Sequence, residues 1–176
     1  MTVKLGIVFL CPIALVTACS RRPNEADARN ATSSPQDSMT IEKNKMKDEA
    51  AIRELIDGFV KAIRAKDIHG GMSAFSPEVV SFDLGLPLQH PGGEAFRERW
   101  QELFASYQNA IDYEVRDLTI TAGDDVAFTH SLNRVSGTLK NGRKSDRWLR
   151  WTACYRKSNG KWLIVHAPNT ILKAGL

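Results

Sequence analysis

The chain has 176 residues, 43% of them hydrophobic and 25% charged, enough for one domain with its own core plus an extension. Its net charge of +4 is spread along the sequence, with Lys and Arg mixed among acids, which argues against a nucleic-acid-binding surface. The three cysteines are not spaced as a disulfide framework or a metal site.

At the N-terminus, Lys4 precedes LGIVFLCPIALVTA, an apolar run of fourteen residues that is too short to span a bilayer and has the layout of a signal-peptide core. It ends in VTAC, which resembles the lipobox of bacterial lipoproteins. That resemblance implies cleavage before Cys19, lipid on Cys19, and a protein held at the cell envelope, facing the periplasm or the cell surface. The lipid would be the only membrane contact. Loss of Lys4 takes the net charge from +4 to +3, and Cys154 is then the only unmodified cysteine. An ordinary secretory signal cleaved near Ala18, or a start at Met39 giving a cytoplasmic product, are the other readings. Residues 1–18 are thus expected to be a signal peptide. Residues 19–45, rich in Ser, Asn, Asp, Arg and Pro, read as a tether that cannot bury enough apolar surface to offset its ordering entropy. Residues 46–176 form the domain.

In KDEAAIRELIDGFVKAIRAKD the residues Ile52, Leu55, Ile56, Phe59, Val60 and Ile63 fall at helical spacing. IHGGMSAF predicts a short helix weakened by Gly70 and Gly71. EVVSFD predicts a strand. After the PGG break, Phe96, Trp100, Leu103, Phe104 and Tyr107 mark a second amphipathic helix. The remainder reads as four strands, the last three joined by hairpins at Asn141-Gly142 and Asn159-Gly160. The order predicts an α+β fold with helices packed on one face of a curved antiparallel sheet.

If Asn141-Gly142 closes a two-residue turn, Asn133 faces Arg150, Ser131 faces Thr152 and Val135 faces Trp148. Ser131, Asn133, Trp148, Arg150 and Thr152 then form one polar strip, with His130 and Arg134 on the opposite face. A bulged turn would instead pair His130 with Thr152 and Arg134 with Trp148. A three-residue loop at Ser158-Asn159-Gly160 would set His166 opposite Thr152.

AIRELIDGFVKAIRAKD, FDLGLPLQH, TAGDDVAFTHSLNRVSGT, RWLRWTACYRK and GKWLIVH, in this order over about residues 47–168, resemble the SnoaL-like group of ketosteroid isomerase homologues within the NTF2-like superfamily. The resemblance implies a cone-shaped barrel with helices on the concave face, a deep apolar pocket and a homodimer formed through the open side of the sheet. It makes Asp83 and His90, at the two ends of the apolar loop SFDLGLPLQHPGG, candidate acid–base groups. Leucines around Asp83 would raise its pKa toward that of an efficient base, and His90 would serve as a second acid/base or as a donor to a carbonyl. The alternative is a loop with two ordinary polar residues. Trp100, His130, Asn133, Trp148, Arg150 and His166 are the candidate ligand contacts. The tail His166-Ala167-Pro168 departs from the Glu-His continuation of the relatives, so a relay through that strand is not expected. Four histidines without metal-ligand spacing, and no phosphate- or nucleotide-binding loop, predict neither metal nor cofactor. Two functions follow: a domain binding a small hydrophobic molecule, with isomerase or cyclase chemistry beside a carbonyl, or a non-catalytic binding or dimeric interaction module.

Overall fold

A computed structural model describes residues 35–82 and 86–171. The signal peptide, Cys19 and Asp83 therefore lie outside the described residues. The elements in order are α1 (Pro35–Ala65), α2 (Ile68–Met72), β1 (Phe75–Phe82), β2 (Gln89–Pro91), α3 (Gly92–Ser106), β3 (Asp112–Ala122), β4 (Val126–Thr138), β5 (Lys144–Ser158) and β6 (Lys161–Ile171).

Helix α1 buries the stripe that its periodicity predicts: Ile52, Phe59 and Ile63 are inside, with Leu55, Ile56 and Val60 packed beside them. It begins at Pro35, within the segment read from composition as a tether, and every side chain from residue 36 to 47 is exposed. Lys66 ends it in a left-handed conformation (φ 55°), and the Asp67 carboxylate then accepts the Gly70 N–H at 3.0 Å to cap α2. Two side chains fasten α1 to the sheet: Arg64 Nε donates to the Tyr113 carbonyl at 2.9 Å, and Lys66 Nζ to the Tyr107 carbonyl at 2.8 Å. Further up the helix, buried Asp48 accepts hydrogen bonds from Lys157 Nζ and from Trp162 Nε1 (3.1 Å).

The six strands form one curved sheet in the order β2-β1-β6-β5-β4-β3. The sheet is mixed rather than wholly antiparallel, because β1 runs parallel to β6 while every other adjacent pair is antiparallel. It does not close into a barrel; β2 and β3 are its edges. Register shifts bend the strands: one between Arg116 and Thr119 of β3, where Asp117 has φ 53°, and one between Cys154 and Tyr155 of β5 opposite β6. The core lies between this sheet and the helices. Phe59 is its hub, with ring centroids 5.6 Å from Phe75, 5.5 Å from Trp100, 5.9 Å from Tyr113 and 6.2 Å from Trp151. Cutting Phe59 back to Ala would cost about 3–5 kcal/mol. Among the described residues no helix is long and apolar enough to cross a membrane.

Candidate functional site

The hairpin loops decide which side chains face the helices. The β4–β5 loop is one residue longer than a type I′ turn. Leu139 N–H donates to the Arg143 carbonyl at 2.9 Å, leaving Lys140, Asn141 and Gly142 between them, with Gly142 at φ 81°. The register therefore differs from the two-residue expectation: Asn133 stands opposite Leu149, Leu132 opposite Arg150, His130 opposite Thr152 and Arg134 opposite Trp148. One residue of slip moves a strand's whole side-chain set to the other face. The strip expected to join Asn133 to Trp148 and Arg150 is thus divided between the two faces. The β5–β6 turn is the tight one, with Asn159 (φ 51°) and Gly160 (φ 76°) both left-handed and Ser158 paired with Lys161. With the bulge that follows, His166 lies opposite Cys154, not Thr152.

On the helix-facing side, β4 presents Thr129, Ser131, Asn133 and Val135, and β5 presents Arg147, Leu149, Trp151, Ala153 and Tyr155. The buried polar groups are satisfied within the protein. Ser131 Oγ donates to Asn133 Oδ1 at 2.8 Å, Asn133 Nδ2 donates to Tyr113 OH at 2.8 Å, and Thr129 shares a 3.1 Å hydrogen bond with Tyr155 OH. Burial pushes the Tyr155 phenol up to about 12 and raises that of Tyr113 further, so neither donates a proton readily near neutral pH. The void beside this ladder is only about 20 Å³, room for about one water. Asn133 faces inward as expected, but its role here is to hold Tyr113.

Next to the ladder, between α3 and the sheet, lies a cavity of about 100 Å³. Phe96, Trp100 and Leu103 wall it from α3; Tyr107, Tyr113, Val135, Leu149 and Trp151 complete the apolar lining; half-buried Arg99 and exposed Arg147 form its charged part. Trp100 was a candidate from sequence, and the structure places it in this wall, where its buried Nε1 has no hydrogen-bond partner among the described residues. Tyr107 is seated by a close approach to Gly137, where an added Cβ would lie 2.9 Å from the ring, and its hydroxyl donates to Ser145 Oγ at 3.3 Å. Arg99, Arg147, Leu149 and Trp151 were not singled out by sequence. Alternation along β5 would have found three of them had the register been known, since Arg147, Leu149 and Trp151 share one face.

His90, 8% exposed, pairs with Ser81 across β1–β2 and lines a separate cleft of about 480 Å³ with Leu86, Gln89, Glu98 and Glu102. Arg99 lines both cleft and cavity. The remaining candidates lie on the outer face, away from the cavity. His130 and Arg150 are exposed; Trp148 lies under the Arg116 guanidinium (4.8 Å); and His166 Nδ1 is 2.7 Å from the Val80 carbonyl, with its ring against Phe82. The cause is the register: Thr152, Leu132 and Arg134, the cross-strand partners of His130, Arg150 and Trp148, also point outward. No group of three or more His, Cys, Asp or Glu side chains among the described residues could hold a metal ion.

An unclosed curved sheet with helices laid across it and an apolar cavity beneath one of them defines an α+β domain of the NTF2-like fold. The chain belongs to the family of SnoaL-like domains, whose model matches residues 52–168. Among solved structures it is similar to an NTF2-like protein of unknown function from Pseudomonas putida, at 28% identity and TM-score 0.64, covering 71% of this chain and 87% of that one. It is also similar in fold to a ketosteroid isomerase-like protein from Erwinia carotovora (20% identity, TM-score 0.61, covering 71% and 96%). A type 2 hexachlorocyclohexane dehydrochlorinase shares the fold at 14% identity (TM-score 0.66, covering 74% and 92%). Comparison with curated proteins gave no match.

Proposed function

We propose that this SnoaL-like domain binds a small, largely apolar molecule between α3 and the sheet. The observation that carries the reading is an aromatic cavity between α3 and the sheet with two arginines, Arg99 and Arg147, in its lining. Apolar walls with one or a few placed polar groups are the usual form of a small-molecule site. At about 100 Å³ the space is well below the roughly 300 Å³ lower bound for sites that engulf a drug-sized ligand, so a fused-ring steroid is not the occupant proposed. Titration of the full chain with benzyl alcohol tests this. Quenching of Trp100 and Trp151 fluorescence is expected to saturate and to be abolished in Val135→Phe, which puts a ring into the cavity. Unaltered binding in that variant would refute the placement.

A second reading is favoured by one observation: Arg99 joins the cavity lining to the cleft that holds His90. A ligand reaching past Arg99 would meet that imidazole, and with Asp83 this would supply acid–base chemistry of the isomerase or lyase kind. None of the described cavity residues is a carboxylate or an imidazole, which is why binding is placed first. A substrate found by screening should lose turnover in His90→Gln and Asp83→Asn while still binding; full turnover in both would remove the assignment. We further propose that the chain is lipid-anchored at the cell envelope through Cys19, which palmitate labelling lost in Cys19→Ala would support. A homodimer through the outer face, where Phe82 and Phe128 are 45% and 46% exposed, is proposed as well. Light scattering should give a dimer mass, with a monomer in Phe128→Glu.

A further inference from the structure

We propose that the cavity selects ligands made of a single small ring bearing a carboxylate, an inference that rests on the cavity being the ligand site. The charged part of the lining has one sign: among the described residues Arg99 and Arg147 are its only charged members. Arg147 occupies an inward position on β5, opposite buried Val135 and two residues from Leu149. The nearby outward arginines are ion-paired, Arg116 with Glu114 at 2.7 Å and Arg134 with Asp146 at 2.6 Å. Among the described residues no such partner holds the Arg147 guanidinium, although its side chain stands where the cavity meets solvent. A planar guanidinium fork matches the two oxygens of a carboxylate.

Size narrows the class further. A cavity of about 150 Å³ lined by aliphatic and aromatic side chains accommodates benzene. The space here is about 100 Å³, so it takes one ring or its equivalent and leaves a polar substituent toward the exposed lining. An apolar ring among Phe96, Trp100 and Trp151 and a carboxylate at Arg147 use both features of the lining.

The test compares benzoate with the near-isosteric neutral benzyl alcohol on the full chain, by tryptophan fluorescence and calorimetry. Benzoate is expected to bind about fivefold more tightly at low salt, with the advantage shrinking as ionic strength rises. Arg147→Gln, at an exposed position and checked for an unchanged melting curve, should erase the advantage, and Arg147→Lys should restore part of it. Benzyl alcohol binding as well as benzoate, still blocked by Val135→Phe, would overturn the carboxylate preference and leave the cavity reading standing. Benzoate binding indifferent to Arg147→Gln would also overturn it. Failure of both compounds to bind at up to about 10 mM would overturn the two together.

Discussion

Substituting Asp48 tests how α1 is held to the sheet. The carboxylate, on a residue 7% exposed, accepts from Lys157 Nζ and from Trp162 Nε1, so one group on α1 holds the β5–β6 hairpin. Burial disfavours its ionised form, but the hydrogen bonds from Lys157 and Trp162 and the lysine's charge outweigh this and hold the carboxyl below its ordinary 3.8. Asp48→Asn keeps an oxygen for Trp162 but loses the charge opposite Lys157. Hydrogen bonds to charged groups contribute about 1.5–3 kcal/mol, and Lys157 is 29% exposed, so water recovers part of the loss. The expected cost is about 2 kcal/mol, and about 3 kcal/mol for Asp48→Ala, which also strands the Trp162 N–H. A folded pKa below the unfolded one adds stability that is present above 3.8 and is lost as pH falls through the lower folded value. Urea unfolding of parent and Asp48→Asn at pH 7 and in steps below pH 4 should show a gap that narrows with acidification. A gap under about 0.5 kcal/mol at pH 7, or one that does not change with pH, would refute the reasoning.

Other expectations follow from the same packing. Tyr113 and Tyr155 should stay protonated while the protein is folded, so two of the three tyrosines should be silent in an ultraviolet titration up to the unfolding pH. Because both phenols are raised in the fold, stability should decline as pH rises above the ordinary value of 10; titration of all three before unfolding would contradict their burial. Asn133→Leu should cost about 2 kcal/mol in chemical denaturation by leaving Ser131 Oγ and Tyr113 OH without their partner. His130→Ala and Arg150→Ala, both on the outer face, should leave benzyl alcohol affinity within about twofold of the parent, and a larger loss would place the ligand on that face.

The helical stripes were legible because a buried face leaves a 3.6-residue signature: Ile52, Phe59 and Ile63 in α1, and Phe96, Trp100 and Phe104 in α3, are buried as their spacing predicts. The first part of α1 was not, because a helix turn that buries nothing has no such signature; Glu42, Lys43 and Lys45 carry only a good intrinsic propensity. The sheet register failed for a sharper reason. Both hairpins read Asn-Gly, yet one loop holds two residues and the other three. Alternation did not arbitrate, since β4 turns its polar side inward: Thr129, Ser131 and Asn133 are buried while Phe128 is 46% exposed. That arrangement holds because the hydroxyls of Tyr113 and Tyr155 satisfy the polar row, a long-range pairing that no local pattern announces. Trp100 could be named from its position on the buried face of α3, whereas Arg147 depended on the register and was missed.

Entry of a small molecule between α3 and the sheet is open to one direct measurement, intermolecular NOEs from bound benzyl alcohol to the full chain. Contacts to the Trp100 and Trp151 indoles, Val135 and Leu149 are expected. Contacts confined to His130, Trp148 and His166 on the outer face, or to His90 and Gln89 in the neighbouring cleft, would contradict it.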